Sequence, residues 1–308
     1  MNEVVEVSQD VYDSINPQLS FFLHARFNEH YHLKVDSVVH FLLKANNFCV
    51  GISGGVKHNT FYSPFSAPYG GFSLFSKDYS HQKMIENLKI WEELLHIKNI
   101  NQIKITQCPD YISPNFNNYL HNAFKAMDYS LDEIALNQHI DLNKINENGF
   151  HFKKSAKNKF NQFLKFDFKF ENNGDLAYEA YDLIKKSRVH RNRPLNMTFE
   201  ELEYAGKINP LEIFVLRLGN LAISACIGVK LTSKIFHVIY WGHDVEQEHL
   251  FPMNALAFYL CLHLKNNHFE FVDLGISTDI TTPDYGLLSF KSSIGAETGM
   301  RLSWSKRI

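Results

Sequence analysis

The succession of predicted elements constrains this chain most, because it occurs twice. Residues 1–145 read as a helix, antiparallel strands, an irregular loop, a long helix, a strand, a short helix and final strands. Residues 146–308 read in the same order, although the two halves share no detectable residue identity. Strands interspersed with helices that cover the sheet faces are typical of mixed α/β folds. We therefore predict two tandem α/β domains with mixed sheets, 1–145 and 146–308.

Apolar periodicity locates the main elements. Apolar residues three or four positions apart predict helices over 13–31 and 80–97. A third helix is predicted over 252–264, because the missing N–H of its first residue, a proline, costs nothing in the first helical turn. The apolar run 269–274 predicts a strand, and a short helix is predicted over 286–294.

Composition excludes several classes of protein. Hydrophobic residues make up 45% and charged residues 21%, the range of an ordinary soluble globular protein. No window approaches the roughly 18 uncharged apolar residues of a membrane span. Residues 1–13 are acidic and lack the apolar run of a secretory signal. The four scattered cysteines disfavour a disulfide framework or a zinc ribbon, so we expect a reduced, cytoplasmic protein.

Charge is distributed unevenly behind a net charge of −2. Residues 151–193 carry 11 Lys and Arg against 5 Asp and Glu, whereas the flanking parts are acidic. The near-neutral total argues against a general nucleic-acid binder, but the basic block could attract a phosphorylated ligand. The alternative is a solvated helix face opposite an apolar stripe.

The closing third of the chain resembles the FemAB-like acyltransferases. The strand end D-L-G-I-S at 273–277 is followed by Y-G-L-L-S-F-K-S-S-I-G-A at 285–296. Family members read as D-x-G-x-S, a loop, then G-L-x-x-F-K-x-x-F-G, so Ile294 departs from the usual aromatic residue. The segments Y-W-G-H-D at 240–244 and P-M-N at 252–254 resemble the central strand of the family and its following helix. The loop A-P-Y-G-G at 67–71 resembles one in the first domain of many members.

This resemblance implies two tandem GNAT-like (acyl-CoA N-acyltransferase) domains and transfer of an acyl group by direct attack. Acyl-CoA is then the expected co-substrate, with no tightly bound cofactor, and the partners are a small-molecule donor and acceptor. A tRNA-borne aminoacyl donor is also implied but less favoured, because the chain is not basic overall. GNAT enzymes that use acetyl-CoA usually carry a glycine-rich pyrophosphate loop, and residues 244–252 contain no glycine and three acids here. The oligomeric state is left open.

Three residues are candidates for catalysis. In GNAT folds the central strands splay apart and free backbone N–H groups for the oxyanion, which places Tyr240 and the adjacent Trp241 at that point; the alternative is that Trp241 fills the core. Tyr285 resembles a position that offers a general acid, although a turn tyrosine is also a common structural residue. Asp273 is either a base or orienting group, or a turn carboxylate that bonds the Ile276–Ser277 backbone.

The candidates for ligand binding are spread over both halves. Lys291 lies on the apolar face of its helix, so its ammonium either points into the cleft toward a phosphate or carboxylate or snorkels to solvent. A guanidinium cluster after a helix could hold phosphate or simply complement the helix dipole. We also expect contacts from polar and glycine positions of the resembling segments. The full set of binding candidates is Lys291, Ser277, Trp241, Arg188, Arg191, Arg193, Asn254, Tyr69, Gly70 and Gly71.

Two further classes compete with an acyltransferase. A non-catalytic binding protein on the same fold is favoured by the missing glycine loop. An aminoacyl-tRNA-dependent, peptidoglycan-type aminoacyltransferase is favoured by the family resemblance. The 16 histidines lack acidic or cysteine partners at ligand spacing, and we expect no metal site.

Overall fold

The computed structural model describes residues 2–16, 19–45, 48–76, 80–145, 151–279 and 282–308. The chain forms two compact units. The first comprises residues 1–136, 278–282 and 299–308, and the second comprises residues 137–277 and 283–298. The predicted start of the second domain, residue 146, lies outside the described residues, so the 145/146 boundary stays a prediction. The last ten residues, expected in the second domain, belong to the first unit.

Strands and helices are interspersed along the chain, as expected of a mixed α/β protein. In chain order, the strands are β1 (Asn2–Glu6), β2 (Ser37–Ala45), β3 (Phe48–Lys57), β4 (Thr60–Ser63), β5 (Phe72–Leu74), β6 (Gln102–Thr106), β7 (Ser130–Asp141), β8 (Lys169–Asn172), β9 (Glu212–Leu218), β10 (Leu221–Lys230), β11 (Ile235–His243), β12 (Phe271–Ile276), β13 (Thr278–Asp279), β14 (Thr282–Pro283) and β15 (Glu297–Arg307). The α-helices are α1 (Gln9–Ile15), α2 (Ala25–His30), α3 (His81–Ile97), α4 (Pro114–Ala126), α5 (Lys154–Phe163), α6 (Ala177–His190), α7 (Phe199–Gly206), α8 (Pro252–Asn266) and α9 (Tyr285–Ser293).

The first unit is a mixed sheet covered by α3 and α4. Its strand order is β1-β2-β3-β4-β6-β15, with β5 paired to β3. The β4–β6 pair is parallel, and the β1–β2, β2–β3, β3–β4 and β6–β15 pairs are antiparallel. Trp91 of α3 is fully buried and meets Phe61 and Phe72 edge to face, with ring centroids 5.4 and 5.2 Å apart. This aromatic cluster anchors the helix on the sheet.

The second unit is a mixed sheet with helices on both faces. Its strand order is β7-β12-β11-β10-β9-β8, and only the β11–β12 pair is parallel among the pairs described. Side chains alternate between the two faces of each strand. Phe214 and Cys226 therefore face a core with α5 and α8, whereas Val215 and Ile227 face a second cluster with α6 and α7.

Strands β11 and β12 separate after only three paired residues. Their parallel pairing runs from Ile235↔Phe271 to His237↔Asp273. Beyond this point β11 stays paired with β10, up to His243, and β12 pairs with β7 at Ile276↔Asn137. A gap therefore opens at the carboxyl end of β11, where backbone groups lose the partner that a continuous sheet would supply.

The described residues show neither a membrane-spanning helix nor a metal-binding cluster. None of their helices has the length and apolar character needed to cross a membrane. Within the same ranges, no group of three or more His, Cys, Asp or Glu side chains is arranged to hold a metal ion.

Candidate active site

A cleft of about 370 Å³ lies in the second unit at the carboxyl end of β11. Four elements build it: the end of β11, the start of α8, the end of α6 with its following loop, and α9. One residue of α5 completes it. The described residues that line the cleft are Lys159, Ser187, Arg188, Arg191, Arg193, Trp241, Gly242, His243, Glu248, Phe251, Pro252, Met253, Asn254, Gly286, Leu287 and Phe290. A volume of this size is in the range of small-molecule sites.

Three arginines reach the cleft because the chain folds back after α6. Asn192 has a left-handed φ of 54°, and the N–H of Arg193 donates to the carbonyl of Arg188 at 2.9 Å. The Nε of Arg188 donates in turn to the carbonyl of Arg193 at 2.9 Å. The loop thus holds Arg188, Arg191 and Arg193 on one wall, which the sequence cluster alone did not specify.

The cleft carries excess positive charge. Arg193 forms an ion pair with Asp284, and Arg191 lies 3.7 Å from a carboxylate oxygen of Glu248. Arg188 has no carboxylate within ion-pair distance among the described residues. Burial has the largest effect and lowers the pKa of Arg188, and the neighbouring Arg193 guanidinium lowers it further. This lowered pKa reflects the cost of placing several cations close together. An anionic ligand would relieve this repulsion.

His243 is a buried histidine on the wall of the cleft. It is 4% exposed, and its Nε2 lies 3.4 Å from Nη2 of Arg191. Its backbone N–H donates to Oγ of Ser187 at 3.3 Å, which ties the end of β11 to α6. Burial has the largest effect and lowers the pKa of His243, and the Arg191 guanidinium lowers it further. The imidazole is therefore neutral at neutral pH.

The start of α8 presents an amide to the cleft. Asn254 is 5% exposed, and its side-chain amide has no hydrogen-bond partner within the described part of the chain. It follows Phe251, whose φ of 58° is left-handed and strained for a bulky residue. The ammonium of Lys159 lies 5.3 Å from the ring centroid of Phe251. The start of α8 thus places an aromatic residue with a cation over its ring beside the cleft.

Tyr240 and Trp241 point to opposite faces of the sheet. Trp241 lines the cleft and contacts Phe290 with ring centroids 5.7 Å apart. Tyr240 instead packs against the α6 cluster. Burial raises the pKa of Tyr240, and hydrogen bonds with the backbone of Met197 and Asn196 oppose that rise. The predicted role of the Tyr240–Trp241 backbone in binding the oxyanion stays a prediction, and Tyr240 is not among the described residues that line the cleft.

Lys291 differs from its expected placement. It is 1% exposed, and its Nζ donates to the carbonyls of Gly275 and Ile276 at 3.0 and 2.9 Å. Burial lowers its pKa to about 7, against the opposing effects of Asp273 and Asp284. The ammonium therefore neither snorkels nor lines the described cleft, because the end of β12 offers it backbone acceptors first.

Asp273 and Ser277 are also satisfied within the fold. Asp273 accepts from Nδ1 of His237 at 3.0 Å, from Asn137 at 2.9 Å and from the N–H of Gly275 at 3.0 Å. Burial alone would raise its pKa, but these bonds leave the pKa lowered, so the carboxylate is ionised. Ser277 donates to Oε1 of Gln138 at 2.7 Å. The backbone contact of Asp273 is to Gly275, not to the Ile276–Ser277 segment expected from sequence.

Tyr285 is the first residue of α9 and is 74% exposed. Its neighbours Gly286 and Leu287 line the cleft, whereas Tyr285 is not among the described lining residues. A role as general acid stays a prediction.

The loop 69–71 belongs to the first unit, and contacts within that unit explain which residues occupy the loop. The hydroxyl of Tyr69 lies 2.6 Å from Oγ of Ser20. Gly71 has φ +87°, and a Cβ there would clash with Oε1 of Gln107. A Cβ on Gly70 would lie 2.7 Å from Oγ of Ser63. Packing alone therefore requires both glycines, and ligand contact by this loop stays a prediction.

Sequence reasoning missed several residues of the cleft: Lys159, Ser187, His243 and Phe251. His243 stands in the segment 240–244, and the resemblance of this segment was the one sequence signal that could have identified His243 as a site residue. Nothing in the local sequence indicates that Lys159 of α5 reaches the same cleft, because α5 and the end of β11 come together only in the folded unit.

Comparison with known proteins supports the fold. No protein-family model matches the sequence, and no curated protein matches it. The crystal structure of FemX matches with a TM-score of 0.73 at 11% identity, over 99% of this chain and 97% of that one. L-PGS from Bacillus licheniformis matches with a TM-score of 0.56 at 11% identity, over 96% and 90%. A tandem GNAT protein from the clavulanic acid biosynthesis pathway matches with a TM-score of 0.53 at 8% identity, over 100% and 98%.

These likenesses define the class of fold. The chain has a mixed α/β, tandem GNAT-like fold of the kind found in FemX. The fold expected from the closing sequence segment is therefore confirmed. At these levels of identity the comparisons speak for the fold and leave the reaction to chemical argument.

Proposed function

We propose that this protein is an acyltransferase that moves an acyl or aminoacyl group from a thioester or ester donor onto an amine or hydroxyl acceptor. Acyl-CoA is the donor that we favour. One observation carries the proposal: a cationic cleft opens where β11 leaves β12, so phosphate-binding groups lie beside unpaired strand backbone.

The backbone at this point suits an oxyanion. Asp244 donates its N–H to the carbonyl of Ile223, whereas His243 donates in another direction, to Ser187. Successive N–H groups along a strand point to opposite sides. The N–H of Trp241 therefore points away from β10, into the gap left by β12. A donor there would stabilise negative charge on the acyl oxygen during attack.

The cations suit the phosphates of the donor. Arg188 and Lys159 have no carboxylate partner among the described residues, and the amide of Asn254 is also available. Guanidinium groups bind phosphate through paired hydrogen bonds. In this proposal they replace the backbone N–H groups of a glycine-rich loop.

The remaining predicted residues have supporting roles in this proposal. Lys291, Asp273 and Ser277 hold the end of β12 and thereby keep the gap open. The acceptor attacks the acyl carbon directly, with no covalent enzyme intermediate, and Tyr285 stays the candidate that protonates the leaving group.

A second candidate is a non-catalytic protein that binds an anionic ligand in the same cleft. The start of α8 favours it, because Phe251 and three nearby acids occupy the place of the pyrophosphate loop. An aminoacyl-tRNA donor is a third candidate, compatible with the fold shared with FemX.

Ligand binding and transfer together test the proposal. Purified protein is incubated with acetyl-CoA, longer acyl-CoAs or charged tRNA and a panel of amines, and products are detected by mass spectrometry. We expect transfer from an acyl-CoA, and Arg188→Ala should weaken CoA binding about tenfold or more, because one charge-assisted contact is lost. Lys185→Ala, an exposed cation on the same helix, is the matched control.

The outcomes separate the candidates. Binding of CoA without transfer to any acceptor would favour the non-catalytic protein. Transfer from charged tRNA alone would favour the aminoacyltransferase. The absence of both binding and transfer would contradict the proposal.

A further inference from the structure

Two cavities of the second unit meet at His243. The second is a groove of about 660 Å³ between α6, the turn before β10 and the segment after β11. Among the described residues, only Ser187 and His243 line both the cleft and this groove. Both side chains are almost fully buried. A ligand in the cleft and a second ligand in the groove would therefore approach the same imidazole.

The hydrogen bond from Arg191 determines the tautomer of His243. A guanidinium has only donors, so Nε2 of His243 is the acceptor and the ring proton is on Nδ1. The 3.4 Å separation is long for such a bond. The lone pair of Nε2 is thus occupied by a weak contact only.

Charged groups surround this imidazole from each neighbouring element. Arg191 lowers its pKa, and Glu248 and Asp244 act in the opposite direction. The other titratable groups that line the two cavities are Glu179, Asp182, Lys186, His190 and Glu246 in the groove and Lys159, Arg188 and Arg193 in the cleft. The net result is a neutral imidazole at neutral pH, the form that a general base requires.

We propose that His243 is a catalytic residue that accepts a proton from the acceptor. The acceptor molecule reaches His243 through the groove while the donor occupies the cleft. This inference rests on the proposed acyltransferase function. Arg191 keeps Nε2 occupied in the free protein. A phosphate in the cleft competes for the Arg191 guanidinium, because charge-assisted bonds to phosphate are stronger than a bond to neutral imidazole. Donor binding thereby frees the base.

The acceptor nitrogen or oxygen forms a bond to the acyl carbon, and its proton moves to Nε2 of His243. The bond from the acyl carbon to the donor sulfur or oxygen breaks, and its electron pair leaves with that atom. The imidazolium then releases the proton to water.

The pH dependence of transfer at donor concentrations well below saturation, where the rate reports the free protein, tests the role of His243. The rate of the wild-type protein should rise with pH and level off, with a midpoint below the ordinary histidine pKa, since only the neutral imidazole accepts a proton. His243→Gln should lower the rate by about 10²–10⁴-fold and abolish this dependence. The matched control, His249→Gln, changes an exposed histidine outside the described lining of both cavities and should leave rate and profile unchanged.

Two further variants keep the test decisive. Arg191→Gln should move the midpoint to higher pH, because it removes a cation that lowers the pKa of His243. Imidazole added to His243→Ala should restore part of the rate.

If His243→Gln retains both rate and pH dependence, or if the Arg191 variant leaves the midpoint unmoved, the inference is overturned while the acyltransferase function stands. If the wild-type protein transfers from no donor, the proposed function fails and this inference fails with it.

Discussion

Lys291 is a buried cation whose partners are backbone carbonyls. Its two acceptors, on Gly275 and Ile276, lie where β12 ends and the chain turns. The lysine therefore contributes two hydrogen bonds to the backbone at this strand end. Lys291 is therefore a residue that positions the end of β12, and the titration of its ammonium affects the stability of the protein.

Replacing Lys291 should change how stability depends on pH. The folded protein releases the Lys291 proton near its pKa of about 7, whereas the unfolded chain keeps it up to the ordinary value of 10.5. The folded state then binds fewer protons between these values, so its free energy of unfolding rises with pH in that window. Relative to Lys291→Met, the wild-type protein should gain up to about 1.4 kcal/mol per pH unit from pH 7 to 9.5.

Urea unfolding at several pH values measures this difference. Lys185→Met, an exposed lysine on α6, should show no such trend. A constant difference between wild type and Lys291→Met across the window would show that Lys291 does not titrate there.

At the scale of elements, Asp284 links the start of α9 to the arginine wall of the cleft. Its Oδ1 accepts from the N–H of Leu287 at 3.1 Å, and its other oxygen pairs with Arg193. Both bonds lower its pKa against the effect of burial, with Arg193 contributing the larger part. One carboxylate thus caps a helix and partly neutralises the cleft.

Two substitutions separate these effects. Asp284→Ala should cost about 1 kcal/mol of unfolding free energy through the lost cap, whereas Asp284→Asn retains a good capping residue and should cost less. Both remove the pair with Arg193, so both should tighten CoA binding by about two- to fivefold at low salt, as exposed ion pairs are worth under about 1 kcal/mol. Chemical unfolding and calorimetric titration measure the two quantities. Weaker CoA binding in both variants would instead indicate that the pair holds Arg193 in place for the ligand.

Elements with long apolar periodicity were predicted well. The expected helix over 80–97 is α3, and the one over 286–294 is α9 within one residue at each end. The expected single helix over 13–31 was wrong. Helix α1 ends at Ile15, and a short 3-10 helix covers Phe21–Leu23. Asp13 accepts from the N–H groups of Ala25 and Arg26, where the separate helix α2 starts.

Helix α7 was missed, although its sequence carried a signal. The side chain of Thr198 accepts from the N–H of Glu201, and the carboxylate of Glu201 accepts from the N–H of Thr198. This T-x-x-E capping box is recognisable without a structure. The helix is short, so apolar periodicity alone did not indicate it.

At the scale of the whole molecule, the distribution of charge bears on the donor. The net charge is −2, and the basic block of residues 151–193 supplies all three arginines of the cleft. A compact cluster of cations in an otherwise acidic chain suits a small polyanion better than an extended nucleic acid.

We therefore expect CoA binding to depend only moderately on salt. Raising the salt concentration from 50 to 200 mM should weaken it by roughly tenfold or less, because few phosphates are contacted. A tRNA ligand would lose about 10³-fold or more, through the release of many counterions. Fluorescence titrations with CoA and with deacylated tRNA at both concentrations make the comparison. Tight tRNA binding that persists at the higher salt concentration would contradict our preference for acyl-CoA.

The sequence by itself determined the fold class, because apolar periodicity and a strand-loop-helix segment near the end of the chain are local patterns that survive without coordinates. Only the tertiary structure decided what the polar side chains do. Lys291 and Asp273 stand in the most recognisable segment, yet their partners are backbone and side-chain groups of neighbouring strands. His243, Lys159 and Asn254 meet at one cleft although they come from three separate elements. A side chain's role depends on burial and on which groups share its surroundings, and packing between distant segments sets both.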